Sequence, residues 1–311
     1  MPKKRAASPD LSRLRVLAAG DEEPFAAYVR DVLASGDRLA REAALEALAE
    51  RPLEAMRPAL RSLYDEVDGD GAKRDPAAHI RGGIVRVLLA IGDVRDRDIA
   101  LRASDTRETV NGADGTSPLR ALGLKLVAAC DPDLLPYVAV EHVSDRSEFS
   151  PEPANTALQL LAGSGHALAV YQWLFAREDH EPELVAAAFE LLVDAPAIVI
   201  ARVIGKIMSG ALARQDEWLL TTIAESIVKR EVEDAYPSLA AMMEARISDE
   251  LYGYLAMLFA ATNRPPLLAI LDQQMRDVRR RTAITAALRV RTTPEQTAIL
   301  QRWEDDDDDG G

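Results

Sequence analysis

The stretch Leu119-Arg-Ala-Leu-Gly-Leu-Lys-Leu-Val-Ala-Ala-Cys-Asp-Pro-Asp-Leu-Leu-Pro-Tyr-Val-Ala-Val-Glu-His-Val143 decides the fold. Its residues Leu119, Leu122, Gly123, Leu126, Val127 and Cys130 fall at alternating steps of three and one, which places them on one stripe of an α-helix. The pattern breaks at Asp131-Pro-Asp. Leu134, Leu135 and Val138 then open a second apolar helix, with Pro136 in its first turn, where a missing N–H forfeits no intrahelical bond. A hairpin of this kind cannot bury its apolar face alone and needs a neighbour to stack on.

Outward from this hairpin the same stripe recurs. Towards the N-terminus it reads Ala40, Ala43, Ala44, Ala47, Leu48 and, less completely, Ile80, Gly83, Ile84, Val87, Leu88. Towards the C-terminus it reads Ala154, Ala157, Leu158, Leu161, then Leu184, Ala187, Ala188, Leu191, then Leu220, Ile223, Ala224, Ile227. It continues through Leu251, Tyr254, Leu255, Leu258, Phe259 and ends with Ile284, Ala287, Leu288. Successive stripes lie about 30 to 40 residues apart, the range of helical-hairpin repeats. Second helices follow them, for example Met56-Leu60-Leu63-Tyr64-Val67 and Leu168-Tyr171-Leu174-Phe175, with Pro52, Pro136, Pro196, Pro237 and Pro265-Pro266 at or near their starts.

These units resemble HEAT or HEAT-like repeats over roughly residues 37 to 288. The fold class expected is all-α: a right-handed α-solenoid (an α-α superhelix) of about seven or eight HEAT-like helical hairpins. Leu11 to Ala18 and Pro24 to Leu33 are expected to cap its N-terminal end. A last helix from Pro294 to Trp303, with Thr293 as N-cap, should close the other end. The domain plan is a disordered basic N-terminus over 1–10, one solenoid over 11–303 and a disordered acidic tail over 304–311.

Composition agrees. Hydrophobic residues make up 48% and charged residues 28%, too apolar for a disordered chain, while aromatics are only 5%. A core so poor in rings is filled by Leu, Ala, Val and Ile, which favours close helix packing over sheets. The net charge is −14, of which six charges lie in Glu304 to Asp309. The acidic body argues against nucleic acid as the default partner. One cysteine, Cys130, excludes an intramolecular disulfide and fits a reducing, cytoplasmic setting. No apolar run approaches the roughly 20 residues of a membrane span.

Two insertions break the spacing. Asp68-Gly-Asp-Gly-Ala-Lys-Arg-Asp-Pro76 shows the Asp68/Asp70 alternation of calcium loops but lacks the remaining ligands, and reads as a solvated turn. Ser104 to Ser117 reads as an irregular excursion, a candidate partner contact through Arg107, Glu108, Asn111 and Asp114. His79, His142, His166 and His180 lack the spacing of a helical metal pair, and consecutive residues Asp179-His180-Glu181 seldom converge on an ion. A Cys130–His142 pair competes with the reading of Cys130 as a buried core thiol.

One charge cluster stands out: Arg276, Arg279, Arg280 and Arg281, followed by Arg289 and Arg291, against the single Asp277. It is read either as a docking ridge for an acidic partner or nucleic acid, or as side chains paired with acidic neighbours including the tail. No metal, cofactor or catalytic constellation is expected. The resemblance implies a non-enzymatic scaffold or adaptor that binds another protein or peptide. The second reading is a nucleic-acid-binding HEAT-like protein resembling the alkylpurine DNA glycosylases, with Trp173, Trp218 and the arginines as its hints. An enzyme resembling HEAT-like bilin lyases is a third.

Overall fold

Helix starts follow short-range chemistry. Asp37, Asp216 and Ser248 each accept a hydrogen bond from the backbone N–H three residues on, at Ala40, Leu219 and Leu251. Thr293 accepts from the Gln296 N–H while Gln296 Oε1 accepts from the Thr293 N–H, a reciprocal capping box. Pro118, Pro136, Pro182, Pro237 and Pro265 all stand in first turns.

The computed structural model describes residues 11–147, 150–176, 181–192 and 194–308. The chain divides into two units, residues 1–166 and 167–311, and helix dominates both. The first holds α1 (Leu11–Ala18), α2 (Glu22–Ser35), α3 (Arg38–Glu50), α4 (Arg57–Asp68), the single turn α5 (Gly71–Arg74), α6 (His79–Ile91) and α7 (Arg97–Asp105). A hairpin of β1 (Thr109–Val110) and β2 (Ala113–Asp114) follows, then α8 (Ser117–Cys130), α9 (Leu135–His142), the short pair β3 (Arg146–Ser147) and β4 (Ser150–Pro153), and α10 (Ala154–Gly163). The second unit holds α11 (Ala167–Ala176), α12 (Pro182–Leu191), α13 (Ala197–Arg214), α14 (Glu217–Arg230), α15 (Tyr236–Glu244), α16 (Asp249–Thr262), α17 (Pro265–Gln274), α18 (Val278–Val290) and α19 (Pro294–Asp308).

In each unit a helix packs on its hairpin partner and on helices further along the chain. In the first, α1, α3, α6, α8 and α10 pack in series as one row, with α2, α4, α7 and α9 behind them. In the second, α12, α14, α16 and α18 form one row and α11, α13, α15, α17 and α19 the other. The stripes read from the sequence supply the core: Leu48, Ile84, Leu126, Leu158, Ala188, Ile223, Leu255 and Leu288 are all buried. Close approach of α7 and α8 depends on Gly123. A Cβ there would stand 2.4 Å from the Ser104 backbone nitrogen and 2.8 Å from the Ala103 carbonyl carbon.

Arginines tie neighbouring helices by their ends. Arg51, just past α3, donates to the Ala18 and Gly20 carbonyls at the end of α1. Arg230 ends α14 and donates to the Phe189 and Leu192 carbonyls at the end of α12. Arg264 reaches the Val228 carbonyl of α14, and Arg291 the Ala261 carbonyl of α16. Each satisfies carbonyls that a helix end leaves without an intrahelical donor and sets a positive charge at the negative end of the dipole.

Three expectations change. Ser104 to Ser117 is no irregular excursion: Asn111 (φ 52°) and Gly112 (φ 88°) make the turn of a two-residue hairpin that pairs Thr109 with Asp114. The last helix continues past Trp303 to Asp308, where a tail without structure was expected from Glu304. Trp303 Nε1 and Arg302 both bond Asp272, and Glu304 pairs with Arg289, so the helix is held on its neighbours at that point. Tyr254 sits in the sequence stripe yet stands exposed. Residues 1–10, 309–311, Asp179 and His180 lie outside the described residues.

Candidate functional site

Of the four residues singled out in the second insertion, Arg107, Glu108 and Asp114 are drawn into contacts with buried or half-buried charged side chains. Glu108 takes a forked pair of bonds from Arg81, both at 2.7 Å. Arg81 is fully buried and also reaches Asp75 at 3.3 Å and Asp68 at 3.4 Å. Asp75, itself buried, accepts the backbone N–H groups of Ile80 and Arg81 and so starts α6. Asp114 binds Arg120, a second fully buried arginine, which makes a further pair of bonds to Asp145 at 2.9 and 3.0 Å. Arg107 and His142 Nδ1 converge on Asp145 at 2.8 and 3.0 Å. Thr116 joins the two halves: its hydroxyl accepts from the Glu108 N–H and from Arg120. Arg107 and Asn111 are exposed, Arg107 with its guanidinium on Asp145 and Asn111 at the hairpin tip.

This network fixes charge. Burial opposes the Arg81 and Arg120 guanidiniums, but the bonds from Glu108 and Asp114 outweigh it and raise both pKa values. Burial likewise pushes the Asp145 carboxyl up. Bonds from His142 and Arg120, with the Arg107 charge, overcome it and hold that carboxyl below the usual range. Asp114 behaves the same way beside Arg120. Such groups are permanent ions rather than proton carriers near neutrality, and their action is to clamp the hairpin onto α6 and α8.

The other sequence candidates separate. Asp68 is engaged by Arg81 and Arg102 while Asp70 faces Lys73 at 3.6 Å, so the two aspartates do not converge. Among the described residues no group of three or more His, Cys, Asp or Glu could hold a metal. Cys130 is buried and its thiol is pushed up by that burial and by Asp93, the opposite of what a nucleophile needs. Trp173 is buried.

The arginine segment does not form one ridge. Arg280 donates to the Met243 and Ala245 carbonyls and stacks on Tyr252, with 4.8 Å from its Cζ to the ring centroid. Arg281 donates to the Met275 carbonyl and lies over Trp303. Arg289 pairs with Glu304 at 3.1 Å, and Arg291 caps α16. Arg276 and Arg279 remain exposed, their guanidiniums without a partner among the described residues.

Two surfaces stand out instead. On α14 and α16, Trp218 is 62% exposed, Tyr254 40% and Met257 42%. Trp218 and Glu225 are seven residues apart and share a face of α14; Glu225 accepts from the Tyr254 hydroxyl, which brings α16's Tyr254 and Met257 beside that face. On the first unit, two adjoining recesses of about 430 and 470 Å³ flank α3 and share Glu46 and Glu50. Trp218 was legible in outline, because it falls off the Leu220-Ile223-Ala224 stripe. The recesses were not, because they lie between helices distant in sequence.

No protein-family model matches the chain, and no curated protein or solved structure matches it either. Among the described residues no helix is long and apolar enough to cross a membrane.

Proposed function

We propose that this chain is a non-enzymatic scaffold, a HEAT-like α-solenoid that binds another protein or peptide. Row-wise packing within each unit, each helix against its hairpin partner and against the next helix of its row, supports the solenoid reading. The observation that carries the binding reading is the Trp218–Tyr254–Met257 patch. An exposed tryptophan on α14, and an exposed tyrosine and methionine on α16 joined to the same face two turns on through Glu225, are the side-chain chemistry that dominates protein interfaces. The nucleic-acid alternative draws no support from the arginines, since Arg280, Arg281, Arg289 and Arg291 are occupied within the chain.

The test is site-specific photo-crosslinking in the native host, with a benzophenone amino acid in place of Tyr254. Discrete protein adducts are expected, lost when Trp218→Ala and Met257→Ser are added, and absent when the photoprobe replaces exposed Gln159 instead. Adducts to nucleic acid would favour the alternative. Adducts indifferent to the two added substitutions, or no adducts, would overturn the reading.

A further inference from the structure

The paired recesses beside α3 differ in charge from the rest of their unit. There, Arg57, Arg61, Arg81, Arg95, Arg102 and Arg120 are all spent on carboxylates. In the recesses Glu46, Glu50 and Arg86 are exposed and have no ion-pair or hydrogen-bond partner among the described residues. Glu42, which completes the row, is turned to Arg38 at 2.7 Å. The carboxylates therefore stand on the α3 wall and Arg86, with His79, on the α6 wall. Between them, in the recess on the α6 side, the floor is Leu45 and Ala49 of α3 and Gly83 of α6, where a Cβ would already press on Leu45 at 3.0 Å; Ala43 and Ala47 line the second recess, on the α1 side.

We infer that this groove receives an amphipathic helix of a partner protein, with a basic edge facing α3 and an acidic edge facing α6. The inference rests on the scaffold reading and adds a second surface to it. Both walls are helices whose backbone groups are bonded internally, so an extended segment laid between them would bury N–H and C=O groups without partners. A helix arrives with those groups satisfied. Ala49 and Gly83 on the floor let it approach to the short end of helix-packing distances, about 8 Å between axes. Glu46 and Glu50 stand one four-residue step apart, about 6 Å of rise, and meet lysines or arginines at the same step on a neighbouring helix.

The experiment is a selection on the purified full-length chain with a displayed library. Each member presents one helix, with a randomised face, on a fixed three-helix scaffold. Binders are counter-selected on the Glu46→Lys/Glu50→Lys variant. Both glutamates are exposed, so an unchanged urea midpoint confirms that the variant is folded. Survivors are expected to carry Lys or Arg at four-residue steps along one edge and small residues beside it. They should bind the variant at least tenfold more weakly. Exchanging their basic edge for Glu should move binding from the wild type to the variant, and Ala49→Trp, which fills the floor, should abolish it.

Survivors without a basic edge, survivors that bind both proteins equally, or an empty selection would overturn the inference. The crosslinking at Tyr254 probes the other unit, so either result can fail while the other stands.

Discussion

Arg120 carries more of the first unit's stability than any exposed arginine can. Its guanidinium is fully buried and makes ion pairs with Asp114 and Asp145 together. Arg120→Met keeps much of the side-chain volume but leaves Asp114 without its cation and Asp145 with Arg107 and His142 only, and the loss expected is about 3–5 kcal/mol. Arg279→Met, at an exposed side chain without a partner among the described residues, should cost less than about 0.5 kcal/mol. Urea unfolding of the two variants, with equal m-values, checks the contrast; equal midpoints would mean that the buried network is energetically idle. Neither outcome could be forecast from residue type. Arg279 and Arg120 look alike in the sequence, and only the carboxylates brought round from distant positions tell them apart.

At the scale of elements, the α7–α8 contact turns on the missing side chain of Gly123. The atoms that a Cβ would meet are backbone atoms of Ala103 and Ser104, which cannot rotate away as a side-chain tip could. Gly123→Ala should therefore push the two helices apart and cost about 1–3 kcal/mol, despite the better helix propensity of alanine. The same exchange at Gly205, in α13 with nothing within 4 Å of its would-be Cβ, should stabilise by about 0.5–1 kcal/mol. Thermal unfolding of both variants reads the opposite signs. Gly123 was recognisable as part of an apolar stripe from spacing alone. That it is a contact between two backbones is a property of the pair, which no single helix pattern contains. The hairpin over Thr109 to Asp114 teaches the reverse lesson. Asn111-Gly112 is the dipeptide best suited to its turn, and it was readable beforehand as a hairpin signal inside a segment otherwise taken as irregular.

Across the molecule, the fixed charges make the two units respond differently to acid. Asp114 and Asp145 have native pKa values below the unfolded value near 3.9, so the unfolded chain binds more protons as pH falls towards and below that value. Their contribution is fully present above about pH 4 and is lost as pH drops through the lowered native values. The buried network lies wholly in the first unit, whereas Trp173, Trp218 and Trp303 all lie in the second. On titration from pH 7 to pH 2, helical circular dichroism should begin to fall below about pH 4 before tryptophan emission moves. Coincident curves would refute the assignment.

Helix class, the spacing of the stripes and most helix starts were settled by local sequence, because a one-residue rise of 1.5 Å and a 3.6-residue turn make apolar periodicity and capping chemistry visible within a dozen residues. The partners of the arginines were not. Arg280 finds the carbonyls of Met243 and Ala245, Arg81 finds Glu108, and the α3 groove sets Glu46 against Arg86 across a helix pair, all over separations of 27 residues or more. A guanidinium accepts any carboxylate or carbonyl within reach. Which one it meets is decided by how the rows of helices stack, and that is the part only the tertiary structure supplies.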